Sequence, residues 1–144
     1  MYSPIKHSKY INYEISGEVL DSSLKVHKAL GPGLLESTYE ECLAFELVKR
    51  GLAIKRKHPI PLVYDKIKLE CGYRCDLIVE NQVIVEVKSI EAFDSIHVAQ
   101  ILTYMKLNNC ELGLLINFNV ELLKNGFRRV ILNKQKASHE ADKL

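Results

Sequence analysis

Asp76, Glu86 and Lys88 sit in a stretch, CDLIVENQVIVEVKS (75–89), that otherwise reads as two short apolar strands joined by a turn. Side chains alternate along a strand, so Glu86 and Lys88 share one face while Val85 and Val87 point to the other, into a core. Asp76 joins them only if it pairs opposite Glu86. That register needs an odd loop such as Glu80, Asn81 and Gln82; a two-residue loop would set Asp76 against Val87. In the first register two carboxylates converge, and unpaired carboxylates that close repel until one takes up a proton. A hard divalent cation removes the conflict. Mg²⁺ takes oxygen ligands at ~2.0–2.1 Å, commonly one or two carboxylates with water and phosphate oxygens completing the shell. Lys88 beside it would favour a phosphate or a deprotonated water. The alternative is a carboxylate–lysine surface ion pair, which contributes little to stability.

The elements that must position these residues can be read from periodicity. Ile11, Ile15, Val19 and Val26, with Leu20 and Leu24, predict a helix over 12–30, closed by Gly31-Pro32-Gly33. Leu35, Tyr39, Leu43 and Leu47 predict a second helix, beginning at Leu34 or Ser37 and ending at Arg50. Ser37-x-x-Glu40 has the form of a capping box, which gives Glu40 a structural role. From Ile54 to Ser89 the pattern turns β-branched, punctuated by Pro59, Pro61, Asp65-Lys66, Gly72 and Asn81, and predicts an antiparallel meander of three or four strands. Asp94 suits the N-cap of a third helix reaching Leu107, with Val98, Ile101, Leu102 and Met105 as its core stripe. Leu112–Phe118 is a continuous apolar run, expected to be a strand buried on both faces. FRRVIL adds a last strand. The order predicts a mixed β-sheet flanked by helices, in the α/β class and bordering on α+β.

Bulk properties bound the rest. The chain has 144 residues, 47% apolar and 26% charged, which suits one domain with a real core. We expect that domain over 1–132 and a polar tail over 133–144. No apolar run reaches the ~20 residues of a membrane span, and MYSPIKHSKY lacks the apolar stretch of a secretory signal, so a cytoplasmic protein without membrane contact is expected. The formal charge of +2 says little about partners, although Lys49, Arg50, Lys55, Arg56 and Lys57 cluster. They form either a solvated face or a nucleic-acid contact. Cys42, Cys71, Cys75 and Cys110 lack zinc-site spacing and read as small buried thiols. His27 is read as structural.

The arrangement Asp76…Glu86-Val87-Lys88 resembles the PD-(D/E)XK nuclease superfamily. Gln100-x-x-x-Tyr104 on the third helix is similar to the extra motif of its RecB-type branch. GLLESTY, with Gly33, Glu36 and Tyr39, matches the signature of the small bacterial GxxExxY family, and VHKALGPGLLESTYEECL, YRCDLIVE, VIVEVKS and GLLINF also look like it. The resemblance spans residues 14–132. Cys75 stands where the superfamily's name has proline. The implied fold is a restriction-endonuclease-like core: a helix, three antiparallel strands, a second helix, and a strand parallel to a central one, here with one additional helix at the front.

The resemblance implies a Mg²⁺- or Mn²⁺-dependent deoxyribonuclease. Asp76, Glu86 and the Val87 carbonyl would bind the metal, and Lys88 would orient a water and stabilise charge on phosphorus. Glu36, by its family motif, would contribute to the metal site, directly or through water; a carboxylate near a helix N-terminus is its plainer reading. His97, Gln100 and Tyr104 fall within about 60° on the third helix, and the resemblance assigns Gln100 and Tyr104 to positioning the nucleic-acid strand. Tyr39 is expected in the core. Lys55, Arg56 and Lys57 are candidates for backbone contacts. The rivals are a non-catalytic nucleic-acid-binding or interaction module on the same fold. A homodimer or protein partner is expected to supply specificity, since the chain leaves little room for a recognition domain.

Overall fold

A computed structural model describes residues 8–70 and 72–132. Helices α1 (Ser8–Leu30) and α2 (Glu36–Lys49) are followed by strands β1 (Ile54–Pro59), β2 (Leu62–Tyr64), β3 (Ile67–Leu69), β4 (Arg74–Val79) and β5 (Val83–Lys88). Helix α3 (Ser95–Leu107), strand β6 (Leu112–Asn117), a short 3₁₀ turn (Leu123–Asn125) and strand β7 (Phe127–Ile131) complete the chain. The five-stranded sheet runs β1-β4-β5-β6-β7, with β5 and β6 parallel and the other neighbours antiparallel. This is the mixed α/β sheet expected, and the parallel pair is joined by the crossover helix α3.

Each face of the sheet carries its own core. On one side Val19 and Val26 of α1 and Leu43 and Leu47 of α2 pack on Leu77, Val85, Leu114 and Ile116. On the other, Ile101 and Met105 of α3 pack on Ile78, Ile84 and Leu115. Every residue of β6 is buried, as its unbroken apolar run requires. His27 is structural: its Nε2 lies 2.7 Å from the Val120 carbonyl.

Two expectations are corrected. The segment 54–89 is not one meander. Only β1, β4 and β5 join the main sheet, while β2 and β3 form a separate hairpin inserted between β1 and β4. Pro59 and Pro61 cannot donate to a ladder, so the chain leaves the sheet there. Nor is Ser37 a helix cap. Helix α2 begins at Glu36 with Leu35 as its N-cap and no side-chain cap, because the Leu35 carbonyl takes the Thr38 and Tyr39 amides. Glu40 is thereby released from the capping role. Cys42, Cys75 and Cys110 are free thiols, and Cys75 and Cys110 are buried; Cys71 and the tail 133–144 lie outside the described residues.

Close approach of α3 to β6 depends on Gly113. A Cβ there would lie 2.7 Å from Met105 Sδ and 2.9 Å from Ile101 Cδ1. Gly113→Ala should therefore destabilise the fold by about 1–3 kcal/mol through overpacking, read as a lower midpoint in urea denaturation.

Candidate active site

Strands β4 and β5 pair as Leu77↔Val85, Ile78↔Ile84 and Val79↔Val83, with Glu80, Asn81 and Gln82 as the loop. The odd loop continues this register to Asp76 opposite Glu86, the arrangement that brings the two carboxylates together. At that point the backbone ladder gives way to crossed side-chain bonds. The Asp76 amide donates to Glu86 Oε1 (3.2 Å), and the Val87 amide donates to Asp76 Oδ2 (2.7 Å). Each carboxylate thus holds the opposite strand's backbone, fixing both side chains. The strand is also irregular here: Leu77 and Val79 pack on one core while Cys75 joins Ile78 on the other. On β1, Lys57 faces this position with φ +48°, between the paired residues Arg56↔Leu77 and His58↔Cys75. Distortions of this kind re-aim side chains next to functional sites.

Burial sets the electrostatics. Glu86 is only 4% exposed. Desolvation, then the charge on Asp76, pushes its carboxyl up to about 9, against the pull of Lys88. Desolvation also raises Asp76, opposed by the Val87 amide and the Lys88 charge. Burial raises the Tyr104 phenol, followed by the nearby charge of Glu86, so it stays a neutral donor. Burial likewise pushes the Cys75 thiol to about 12, which keeps it unreactive beside the acids.

Helix α2 brings two more carboxylates. Tyr39 is fully buried in the core, stacked on Phe118 with ring centroids 4.5 Å apart. Its hydroxyl accepts from the Leu34 amide and donates to the Gly31 carbonyl, tying down the loop before α2. Gly33 in that loop has φ +96°, which a residue with a Cβ adopts only at a cost. So held, Glu36 accepts the Ser89 amide (3.2 Å), one residue beyond Lys88, and its charge raises Asp76. One turn on, Glu40 is buried; its Oε1 pairs with Arg56 Nη2 at 3.7 Å and accepts no hydrogen bond among the described residues. Desolvation, then the charge on Asp76, raises its carboxyl. Glu36, Glu40 and Ser89 line one open cleft of about 520 Å³. Glu40 is the acid that sequence reasoning missed. Its i, i+4 spacing from Glu36 was the available signal, obscured by the apparent capping box.

The remaining candidates separate. Gln100 and Tyr104 line a groove between α3 and the segment of Leu62 and Tyr73, with Tyr104 itself buried in the core. His97 belongs to the helix cap: its Nδ1 accepts the Asp94 amide (2.9 Å) while Asp94 accepts the Ile96 amide. Arg56 is held by Glu41 (3.0 Å), whereas Lys55 and Lys57 are exposed on β1. Arg50 bonds Glu18 at 2.9 Å, so the basic run does not form one free patch.

Among the described residues no three His, Cys, Asp or Glu side chains form a ready metal cage. The donor chemistry nevertheless fits a hard divalent cation. A buried and a half-buried carboxylate that repel, with Glu40 nearby, match an ion that takes few protein oxygens and fills its shell with water and phosphate.

A family model described as PD-(D/E)XK nuclease superfamily matches residues 13–130. The chain belongs to that superfamily, and the sheet, with helices on both faces, is its restriction-endonuclease-like fold. Such nucleases generally use divalent metal ions, and the family implies a nucleic-acid substrate. No curated protein and no solved structure matches the chain.

Burial of Glu86 beside Asp76 has a consequence for stability. A carboxyl whose folded pKa lies above its unfolded one binds its proton more tightly when folded, so its contribution is complete below the unfolded value and is lost as pH rises. Without divalent metal, the melting temperature should fall between pH 4.5 and about 9, the interval set by Glu86. Glu86→Gln should flatten the fall, and Mg²⁺ should restore stability most at the alkaline end. Thermal melts in EDTA and Mg²⁺ across that interval check this; a flat wild-type profile in EDTA would contradict that account.

Proposed function

We propose that the protein is a Mg²⁺- or Mn²⁺-dependent nuclease that hydrolyses phosphodiester bonds of nucleic acid, with DNA as substrate, in the cytoplasm. The observation that carries this reading is the interlocked Asp76–Glu86 pair with the Lys88 charge beside it, on adjacent strand ends of a PD-(D/E)XK chain. Asp76, Glu86 and the Val87 carbonyl would hold the metal. Glu36 and Glu40 would face its outer shell from α2. A divalent cation held there supplies a Lewis acid for the phosphate and lowers the pKa of a bound water.

The chain's own groups do the rest. The Lys88 ammonium orients the attacking water and stabilises charge building on the pentavalent phosphate. The Tyr104 phenol stays neutral, so it donates a hydrogen bond without adding negative charge. Gln100, one turn earlier, positions the strand with it. Lys55 and Lys57 contact the phosphate backbone, which makes binding salt-dependent. Arg56 joins them by exchanging Glu41 and Glu40 for a phosphate. A second copy of the chain or a protein partner supplies sequence selectivity.

The test is incubation with linear and circular DNA, single and double stranded, in Mg²⁺, Mn²⁺ or EDTA. Metal-dependent cutting that is lost in Glu86→Ala is expected. Lys88→Ala should lower the cleavage rate by about 10²-fold or more while DNA binding persists. Undiminished cleavage in that variant would remove Lys88 from the mechanism, and no cutting with either metal would overturn the enzyme reading.

A further inference from the structure

The β2–β3 hairpin is the part of the chain that the site does not explain. Each strand is three residues long, and among the described residues the two form a sheet of their own, paired as Leu62↔Leu69, Val63↔Lys68 and Tyr64↔Ile67. Residues directly opposite one another on an antiparallel pair point to the same side, and alternate residues share a face. Leu62, Tyr64, Ile67 and Leu69 therefore make one apolar face, with Val63 and Lys68 on the reverse. That apolar face is left open: Tyr64 is 74% exposed and Ile67 58%.

The face is continuous with a groove that holds two further candidate residues, Gln100 and Tyr104. Leu62 at its foot lines the groove on α3 together with Tyr73, Ile96, Gln100 and Tyr104, and the groove encloses about 340 Å³. Tyr104 is the most buried of the groove's aromatic residues, and burial, then the charge of Glu86, raises its phenol. A path of aromatic and aliphatic surface thus leads from the hairpin tip to Gln100 and Tyr104. Basic residues flank it: Lys66 in the hairpin turn, and Lys57 and Arg74 at its foot, all exposed. Over residues 54–74 there are six Lys and Arg against two Asp and Glu.

We propose that this face and groove are a stacking platform for unpaired nucleotides, so that the site takes single-stranded nucleic acid in preference to duplex. The inference rests on the nuclease reading. Duplex DNA presents phosphates and hides its base faces, and an apolar shelf gains nothing from it. An unpaired strand presents both. Its bases stack on Tyr64 and Tyr73 and its phosphates meet the flanking cations, the combination by which sequence-tolerant single-strand binding works. Gln100 offers an amide that can bond a base edge.

Fluorescence anisotropy in EDTA tests this without cleavage. The probes are a labelled mixed-sequence single strand, as DNA and as RNA, and the DNA annealed to its complement. A single strand should bind about 10-fold or more tightly than the duplex. Tyr64→Ala should lose about 10-fold of the single-strand affinity, leave duplex binding unchanged and keep the wild-type melting temperature. Tyr64→Phe should retain the affinity. Equal affinity for strand and duplex, no binding to either, or an unchanged Tyr64→Ala would overturn the platform. So would self-association of the wild-type protein that Ile67→Ser abolishes, which would make the face a protein interface. Absence of cutting in any metal would sink the nuclease reading alone, because the binding comparison does not depend on it.

Discussion

The rest of the site depends on the point where β4 and β5 stop pairing through their backbones. Beyond Leu77 and Val85 the ladder is replaced by two carboxylate–amide bonds that cross between the strands. A carboxylate that accepts a backbone amide is held without needing another side chain to orient it. The same bonds satisfy amides that would otherwise be left unpaired where the strands part. Local structure and chemistry therefore share one constraint. Moving the register by one residue would send Glu86 into the apolar core and leave both amides without partners.

Two helices bear on that point from opposite faces of the sheet. Helix α2 offers Glu36 and Glu40 from one face, and the loop before it is fixed by Tyr39, whose ring is anchored on Phe118. Read physically, Gly33, Glu36 and Tyr39 form a left-handed turn, an acid aimed at the end of β5, and the bolt that holds the turn in place. Helix α1 packs in the same core as α2, on the apolar side chains of one face of the sheet. Helix α3 packs so closely over Gly113 that Tyr104 reaches the acids' field from the opposite side of the sheet. The acids are gathered by the β4–β5 register and by α2, and the aromatic and amide groups by α3.

The energetic character of the site follows from burial. Asp76 and Glu86 are kept together in a place where their charged forms are disfavoured, and Lys88 offsets only part of that. Such an arrangement is a poor way to stabilise a fold. A bound cation would relieve such repulsion, and PD-(D/E)XK nucleases generally use divalent metal ions. The unsatisfied Glu40 oxygen extends the same condition to α2.

Much of this was legible in the chain. The three helices, the buried β6 and the edge strand β7 follow from hydrophobic period. The three-residue loop Glu80–Asn81–Gln82, once assumed, fixes Asp76 opposite Glu86. Two features were not legible. The segment between β1 and β4 has the composition of strands, yet β2 and β3 leave the sheet, because Pro59 and Pro61 withhold the donors that a continuous meander would need. Glu40 fitted a capping pattern and instead lines the cleft with Glu36, because the Leu35 carbonyl, not Ser37, starts the helix. The sequence by itself determined which residues alternate and which recur at helical spacing, since both are properties of a single chain segment. Only the tertiary structure decided that α2 stands over the end of β5 and that the hairpin opens onto the α3 groove. Those are relations between elements far apart in the chain, settled by how their apolar faces pack against one sheet.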